Sequence, residues 1–150
     1  MENTKSFQVI WANLDPNMHL RHTAYNDYAA QVRLGFFLDH GFSMKDMARL
    51  QIGPILFREE TKFLREVGMN ETIHINCKLT GLRKDGSRWN MVHQIFKSDG
   101  ALSAIISVEG AWIDLKIRKL AVPPKELSDV VEQMPKAENF AWLPDKKSES

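Results

Sequence analysis

The hydrophobic period of this chain changes once, and that change limits what it can fold into. From about Thr23 to His40, Tyr25, Tyr28, Val32 and Phe36 recur at spacings of three and four, one face of a helix. Ala24, Ala29 and Ala30 keep that helix slim enough for a sheet to close around it. After Gly53-Pro54 the period becomes two. Ile55, Phe57, Glu59, Thr61 and Phe63 then share one strand face, and Ile73, Ile75, Cys77 and Leu79 alternate with polar neighbours. Trp89, Met91, His93 and Ile95 form the next face, and Leu102 to Trp112 makes a long last strand. Lys84-Asp85-Gly86 and Ser98-Asp99-Gly100 are hairpin signals, so these strands are antiparallel.

The remaining segments fit around that frame. Phe7 to Trp11 reads as a short first strand. Thr23 is the expected N-cap of the long helix, and Gly41 its left-handed terminator. Ser43 to Leu50 forms a short second helix capped by Ser43. Pro124 opens a C-terminal helix whose stripe is Leu127, Val130, Val131 and Met134. The order β–α–β–β–β–β–α implies an α+β domain, one sheet with one long helix on a face. We expect one domain over residues 1–150, with a flexible tail from about 137. Such a sheet leaves edges exposed, and a second copy would protect them.

Composition excludes several function classes. With 20 Lys+Arg against 19 Asp+Glu, the net charge of +1 lacks the basic excess of a nucleic-acid module. A single cysteine, Cys77, allows neither an internal disulfide nor a cysteine metal cluster. No apolar run is long enough to span a bilayer, and Met1 to Ser6 is polar, unlike a signal peptide. The expectation is a soluble cytoplasmic domain, large enough at 150 residues to need neither metal nor disulfide.

The densest cluster of reactive groups runs from Asp15 through Asn17, His19 and His22 to Thr23 and Tyr25, in a loop entering the long helix. A helix start offers unpaired N–H groups and a positive partial charge. A carboxylate beside such donors suits acyl chemistry: the N–H groups polarise a carbonyl while the carboxylate attacks it or activates water. Each residue also has a plainer role. Asp15 can simply form the turn that Pro16 signals. His19 can tie the loop to carbonyls, and His22 can face solvent. As a metal set, Asp15 and the two histidines lack a second carboxylate at ligand spacing.

Asp15-x-x-x-His19, followed at once by a helix carrying Tyr25-x-x-Tyr28, resembles the hotdog-fold acyl-CoA thioesterases of the 4-hydroxybenzoyl-CoA thioesterase-like group. Gly53 to Arg65 looks like the family's long second strand, Asp99-Gly100 its hairpin into the last strand, and Trp112 to Pro124 its closing segment. The ordered match spans about residues 5 to 133. The resemblance implies an antiparallel sheet wrapped around one long helix, in a homodimer or homotetramer. It implies an acyl-CoA substrate, with coenzyme A part of the substrate and no separate cofactor or metal. It makes Asp15 the nucleophile or general base, places the oxyanion site at the helix start near His22 and Thr23, and lets Tyr25 shape the acyl pocket. Residues of the partner's second strand, such as Glu59 or Glu60, would line the shared site.

The chain departs from the family at Met18, where many relatives have Gly, at Arg21 and His22, where many have Asn or Ser, and at Phe63, where Tyr is common. Arg65, Arg83, Lys84, Arg88, Lys116, Arg118 and Lys119 are candidates for the phosphates of coenzyme A. Glu59 is a carboxylate on an apolar strand face, and such groups need a partner or a function. Cys77 and His93 sit among apolar neighbours and read as core residues. Two rival functions remain open: an acyl-CoA-binding protein without catalysis, and a hydratase or dehydratase pairing His19 with Glu59 across the dimer.

Overall fold

A computed structural model describes residues 3–145. The elements are β1 (Thr4–Gln8), a 3-10 turn (Trp11–Asn13), α1 (His22–Asp39), α2 (Met44–Leu50), β2 (Ile52–Phe63), β3 (Thr72–Asn76), β4 (Lys78–Arg83), β5 (Arg88–Phe96), β6 (Leu102–Asp114), β7 (Lys119–Leu120), α3 (Lys125–Glu132) and β8 (Lys136–Leu143). One sheet holds all the strands. β2 pairs with β6, β6 with β5, and β5 with both β3 and β4. β1 lies antiparallel on β3, whereas β8 lies parallel on β4.

The expected α+β arrangement is present, because the sheet needs a cover for its apolar face and α1 supplies one. Ala24, Tyr25, Ala29, Val32, Phe36 and Phe37 of α1 are buried in one core with Ile73, Ile75, Ile95 and Ile106 of the sheet. Small residues at 24 and 29 allow the close approach. The α3 stripe of Leu127, Val130 and Val131 is buried in the same core, as its spacing predicts. Ser43 caps α2 in a reciprocal box with Asp46. Both hairpin signals are turns in which an aspartate accepts from the backbone two residues on, Asp85 from Ser87 and Asp99 from Ala101.

Four expectations are corrected. The first strand starts at Thr4 and ends at Gln8, because the chain turns away at Trp11, which is 79% exposed. The stretch 72–83 is two strands broken at Cys77. The flexible tail expected from 137 is ordered through Leu143, since β8 finds a partner in β4; its last residues, 146–150, lie outside the described residues. On β2 a bulge at Phe57 breaks the expected alternation, and Phe57, Glu59 and Phe63 are exposed. Among the described residues β2 has only β6 beside it, so its other edge is open.

Candidate active site

The site is built by a loop that folds back on itself before α1. Asp15 N–H donates to the His19 carbonyl at 2.8 Å, and Met18 N–H to the Asp15 carbonyl at 3.0 Å. The Asp15 carboxylate completes the turn: Oδ1 accepts from the backbone N–H of Asn17 at 2.9 Å and of His19 at 3.1 Å. Oδ2 accepts no hydrogen bond among the described residues. Met18 pays for the tight turn with φ of +64°, a left-handed conformation that side chains disfavour. The plain turn-forming role of Asp15 and a chemical role are therefore compatible, one for each oxygen.

A strap from Glu66 to Gly68 holds the loop from below. Leu20 N–H donates to the Val67 carbonyl at 2.8 Å, His19 bridges Gly68, and Val67 is fully buried. His19 Nε2 lies 3.2 Å from the Glu66 carboxylate. The Lys97 ammonium donates to the Glu66 carbonyl and, at 3.2 Å, to Glu71, fixing the strap to the end of β5.

The loop delivers the chain into α1, whose start is bare. The N-cap is Arg21, not the expected Thr23, and no side chain caps the first turn. The Thr23 hydroxyl accepts from Arg21 Nε at 3.0 Å, and the Arg21 guanidinium also donates to the Ala12 carbonyl, so these residues brace the entry. No acidic residue lies in the first turn; Asp27 comes one turn later. Helix N–H groups without intrahelical partners and with their dipole unneutralised attract an oxygen carrying negative charge.

Asp15, His19, His22, Tyr25 and Phe63 line one cleft of about 360 Å3, together with Leu20, Leu64, Arg65 and Glu66. Tyr25 is buried and packs edge-on against Phe63 with ring centroids 5.1 Å apart. Burial pushes its phenol pKa up, against hydrogen bonds with Ser103 and the Val67 backbone, so it stays a neutral group. Asn17, Thr23 and Glu59 do not line the cleft. Asn17 contributes its backbone to Asp15, and Glu59 accepts from Asn26 Nδ2 at 2.8 Å on α1. Within one chain His19 and Glu59 therefore answer to different partners.

Arg65 is the one coenzyme A candidate that reaches this cleft. Leu64 and Glu66 were not anticipated, since nothing local in the sequence indicates that the end of β2 returns to the loop. Among the described residues no three His, Cys, Asp or Glu side chains gather as a metal cluster, and no helix is long and apolar enough to cross a membrane.

Residues 9–131 match the thioesterase-like superfamily. The chain belongs to that superfamily. Among solved structures, protein SAV2348 from Staphylococcus aureus, determined in complex with CoA, is 20% identical, with a TM-score of 0.82 over 98% of this chain and 90% of that one. The 1,4-dihydroxy-2-naphthoyl-CoA thioesterase Slr0204 from Synechocystis is 15% identical, with a TM-score of 0.78 over 87% and 95%. YbaW, a probable thioesterase from Escherichia coli, is 22% identical, with a TM-score of 0.74 over 89% and 98%. No curated protein matches the chain by sequence. The fold of this superfamily member is the expected hotdog, a curled sheet around α1 that is antiparallel except where β8 joins β4.

Proposed function

We propose that this protein hydrolyses an acyl-CoA thioester to the free acid and coenzyme A, with Asp15 as nucleophile or general base. The observation that carries the reading is the asymmetric Asp15 carboxylate. Two backbone N–H groups fix Oδ1, while Oδ2 has no partner in a cleft shared with the uncapped start of α1. A thioester carbonyl with its oxygen toward the N–H groups of His22 and Thr23 would present its carbon to Oδ2 or to a water held there. In the base-catalysed form the water proton passes to Asp15, the hydroxide oxygen bonds the carbonyl carbon, and the C–S bond breaks. The thiolate of coenzyme A leaves and takes up the proton. A neutral Tyr25 and the Phe63 ring offer the acyl group an apolar wall. The cationic Arg65 at the cleft suits the phosphates of coenzyme A.

A second copy fits along the open edge of β2, where Leu56, Phe57, Phe63 and Leu64 are each about half exposed. A dimer so formed would cover these side chains and bring a partner strand beside the cleft.

The test is thiol release from short, long and aromatic acyl-CoAs by wild type, Asp15→Asn and Asp15→Ala. Asparagine keeps an oxygen for the two loop N–H groups and removes the base. Both variants should lose activity by roughly 100-fold or more, while Asp15→Asn melts like wild type. Full activity in Asp15→Asn overturns the mechanism. Acyl-CoA binding without hydrolysis by wild type replaces the enzyme with a binding protein.

A further inference from the structure

A tight hairpin joins β6 to β7 at one end of the sheet, and its tip stands clear of the fold. Every residue from Lys116 to Leu120 is exposed. Asp114 sets the turn. Its Oδ1 accepts from the backbone N–H groups of Lys116 at 2.8 Å and Ile117 at 3.1 Å, and its carbonyl accepts from Arg118 N–H at 2.8 Å. Ala121 N–H donates to the Trp112 carbonyl at 2.9 Å and closes the ladder. The tip is therefore preformed, and a partner need not order it. The Asp15 cleft lies at the other end of the sheet. β2 starts opposite Asp114 at Ile52 and reaches the cleft at Phe63, roughly 35 Å away at the rise of a strand.

The tip combines unneutralised charge with open hydrocarbon. Lys116, Arg118 and Lys119 pair with no carboxylate among the described residues. No acidic residue occurs from Leu115 to Pro124, and Glu126 beyond it is engaged by Arg49 at 2.9 Å. Between the cations stand Ile117, Leu120 and Val122, which are 64%, 52% and 61% exposed. None of the three belongs to the hydrophobic core. The positive charge of this short segment is local, since the whole chain carries a net charge of only +1.

We infer that this hairpin docks the protein on an anionic lipid surface, with its cations against the head groups and its aliphatic side chains among them. Charge complementarity fixes the sign of the partner, and the aliphatic side chains fix its kind. The boundary between head groups and acyl chains gives Ile117, Leu120 and Val122 an apolar medium, and each Lys or Arg beside such a surface adds attraction. A nucleic-acid duplex would set those aliphatic groups against phosphate and sugar, and the tip has no aromatic ring to stack on a base. A second copy would bring the same cations against these, and like charges repel. A convex tip offers a peptide no groove, whereas head groups rearrange around it. The attachment is peripheral: among the described residues no helix is long and apolar enough to cross a membrane. The inference does not depend on chemistry at Asp15.

Co-sedimentation of the full chain with vesicles tests it, using phosphatidylcholine alone and phosphatidylcholine with roughly a third phosphatidylserine. The protein should partition onto the anionic vesicles and not onto the neutral ones. Partitioning should weaken between about 0.1 M and about 1 M salt as screening shortens. The combined Lys116→Gln, Arg118→Gln and Lys119→Gln variant should lose about 100-fold in partition coefficient, about fivefold per cation. The combined Ile117→Ser, Leu120→Ser and Val122→Ser variant should lose about tenfold or more and keep its salt dependence. All six positions are exposed, so both variants should melt like wild type. Cys77 is fully buried, so a thiol fluorophore on Ile117→Cys reports the tip alone, and its emission should shift to the blue on anionic vesicles. No partitioning, equal partitioning on both vesicles, an unshifted emission, or binding unaffected by either triple variant overturns the inference. Binding to duplex DNA in place of vesicles also overturns it. Release from vesicles by coenzyme A, at concentrations where pyrophosphate has no effect, assigns the cations to the substrate and overturns it as well.

Discussion

Gly110 on β6 is the position where one added methyl should cost most. It lies opposite Trp89 on one side and Leu56 on the other. A Cβ built there would sit 2.4 Å from Trp89 Cη2 and Cζ2 and 2.6 Å from the Ile55 carbonyl oxygen. The oxygen belongs to the β2 backbone in its ladder, and cannot turn aside as a flexible side chain could. Trp89 is 3% exposed and its ring is backed by Trp112, with centroids 6.3 Å apart. Neither neighbour gives way cheaply, so Gly110→Ala should fall at the upper end of the overpacking range, about 3 kcal/mol. For a domain of this size that corresponds to a fall in Tm of about 6–12 °C. Differential scanning calorimetry of Gly110→Ala, Trp89→Phe and the double variant measures it. Phenylalanine withdraws the two clashing ring atoms and leaves the Ile55 oxygen in place. The cost of Gly110→Ala should therefore shrink by about 1 kcal/mol or more in the Trp89→Phe background without vanishing. A Tm change under about 2 °C, or an identical cost in both backgrounds, refutes the packing argument.

Two further predictions concern the loop and the core histidine. Met18→Gly should raise stability by about 0.5–1 kcal/mol in urea unfolding, because the residue has φ of +64° and its half-exposed side chain contributes little burial; a lower midpoint would show the turn to be unstrained. His93 is fully buried, and burial, with the Arg33 charge beside it, pulls its pKa down from 6.5 to about 3. The unfolded chain then binds a proton the folded chain refuses, so His93 supports stability in full above about pH 6.5. That stability falls at about 1.4 kcal/mol per pH unit toward pH 3. His93→Gln should show a shallower pH dependence of unfolding free energy between pH 6 and 4, and an unchanged slope would remove His93 as the cause.

The parts of the fold legible in the sequence were those carried by local periodicity. The α1 face from Tyr25 to Phe36, the α3 stripe and the Ser43 cap depend on neighbours within a few residues, and all are present. What eluded the sequence depends on distant partners. β8 is a strand because β4 offers it an edge, and its composition gives no sign of that edge. The bulge at Phe57 is set by register with β6. The Asp15-to-Tyr25 cluster was legible because its residues are contiguous, whereas Glu66 reaches His19 only through the return of the chain after β2. Arg33 passed unnoticed for a related reason. Its position on a helix reads as polar surface, and only His93 on β5, 2.9 Å from its guanidinium, reveals that it is part-buried.

The division of labour within the Asp15 carboxylate also bears on how relatives of this chain should be read. One oxygen holds the turn and the other accepts no hydrogen bond among the described residues. A relative without hydrolytic activity would still need an acceptor at position 15 to keep its loop. Retention of an aspartate there is therefore weak testimony for an enzyme, because the architecture alone would preserve it. Drift from aspartate to asparagine would be the more informative record, since it keeps the scaffold while discarding the charge.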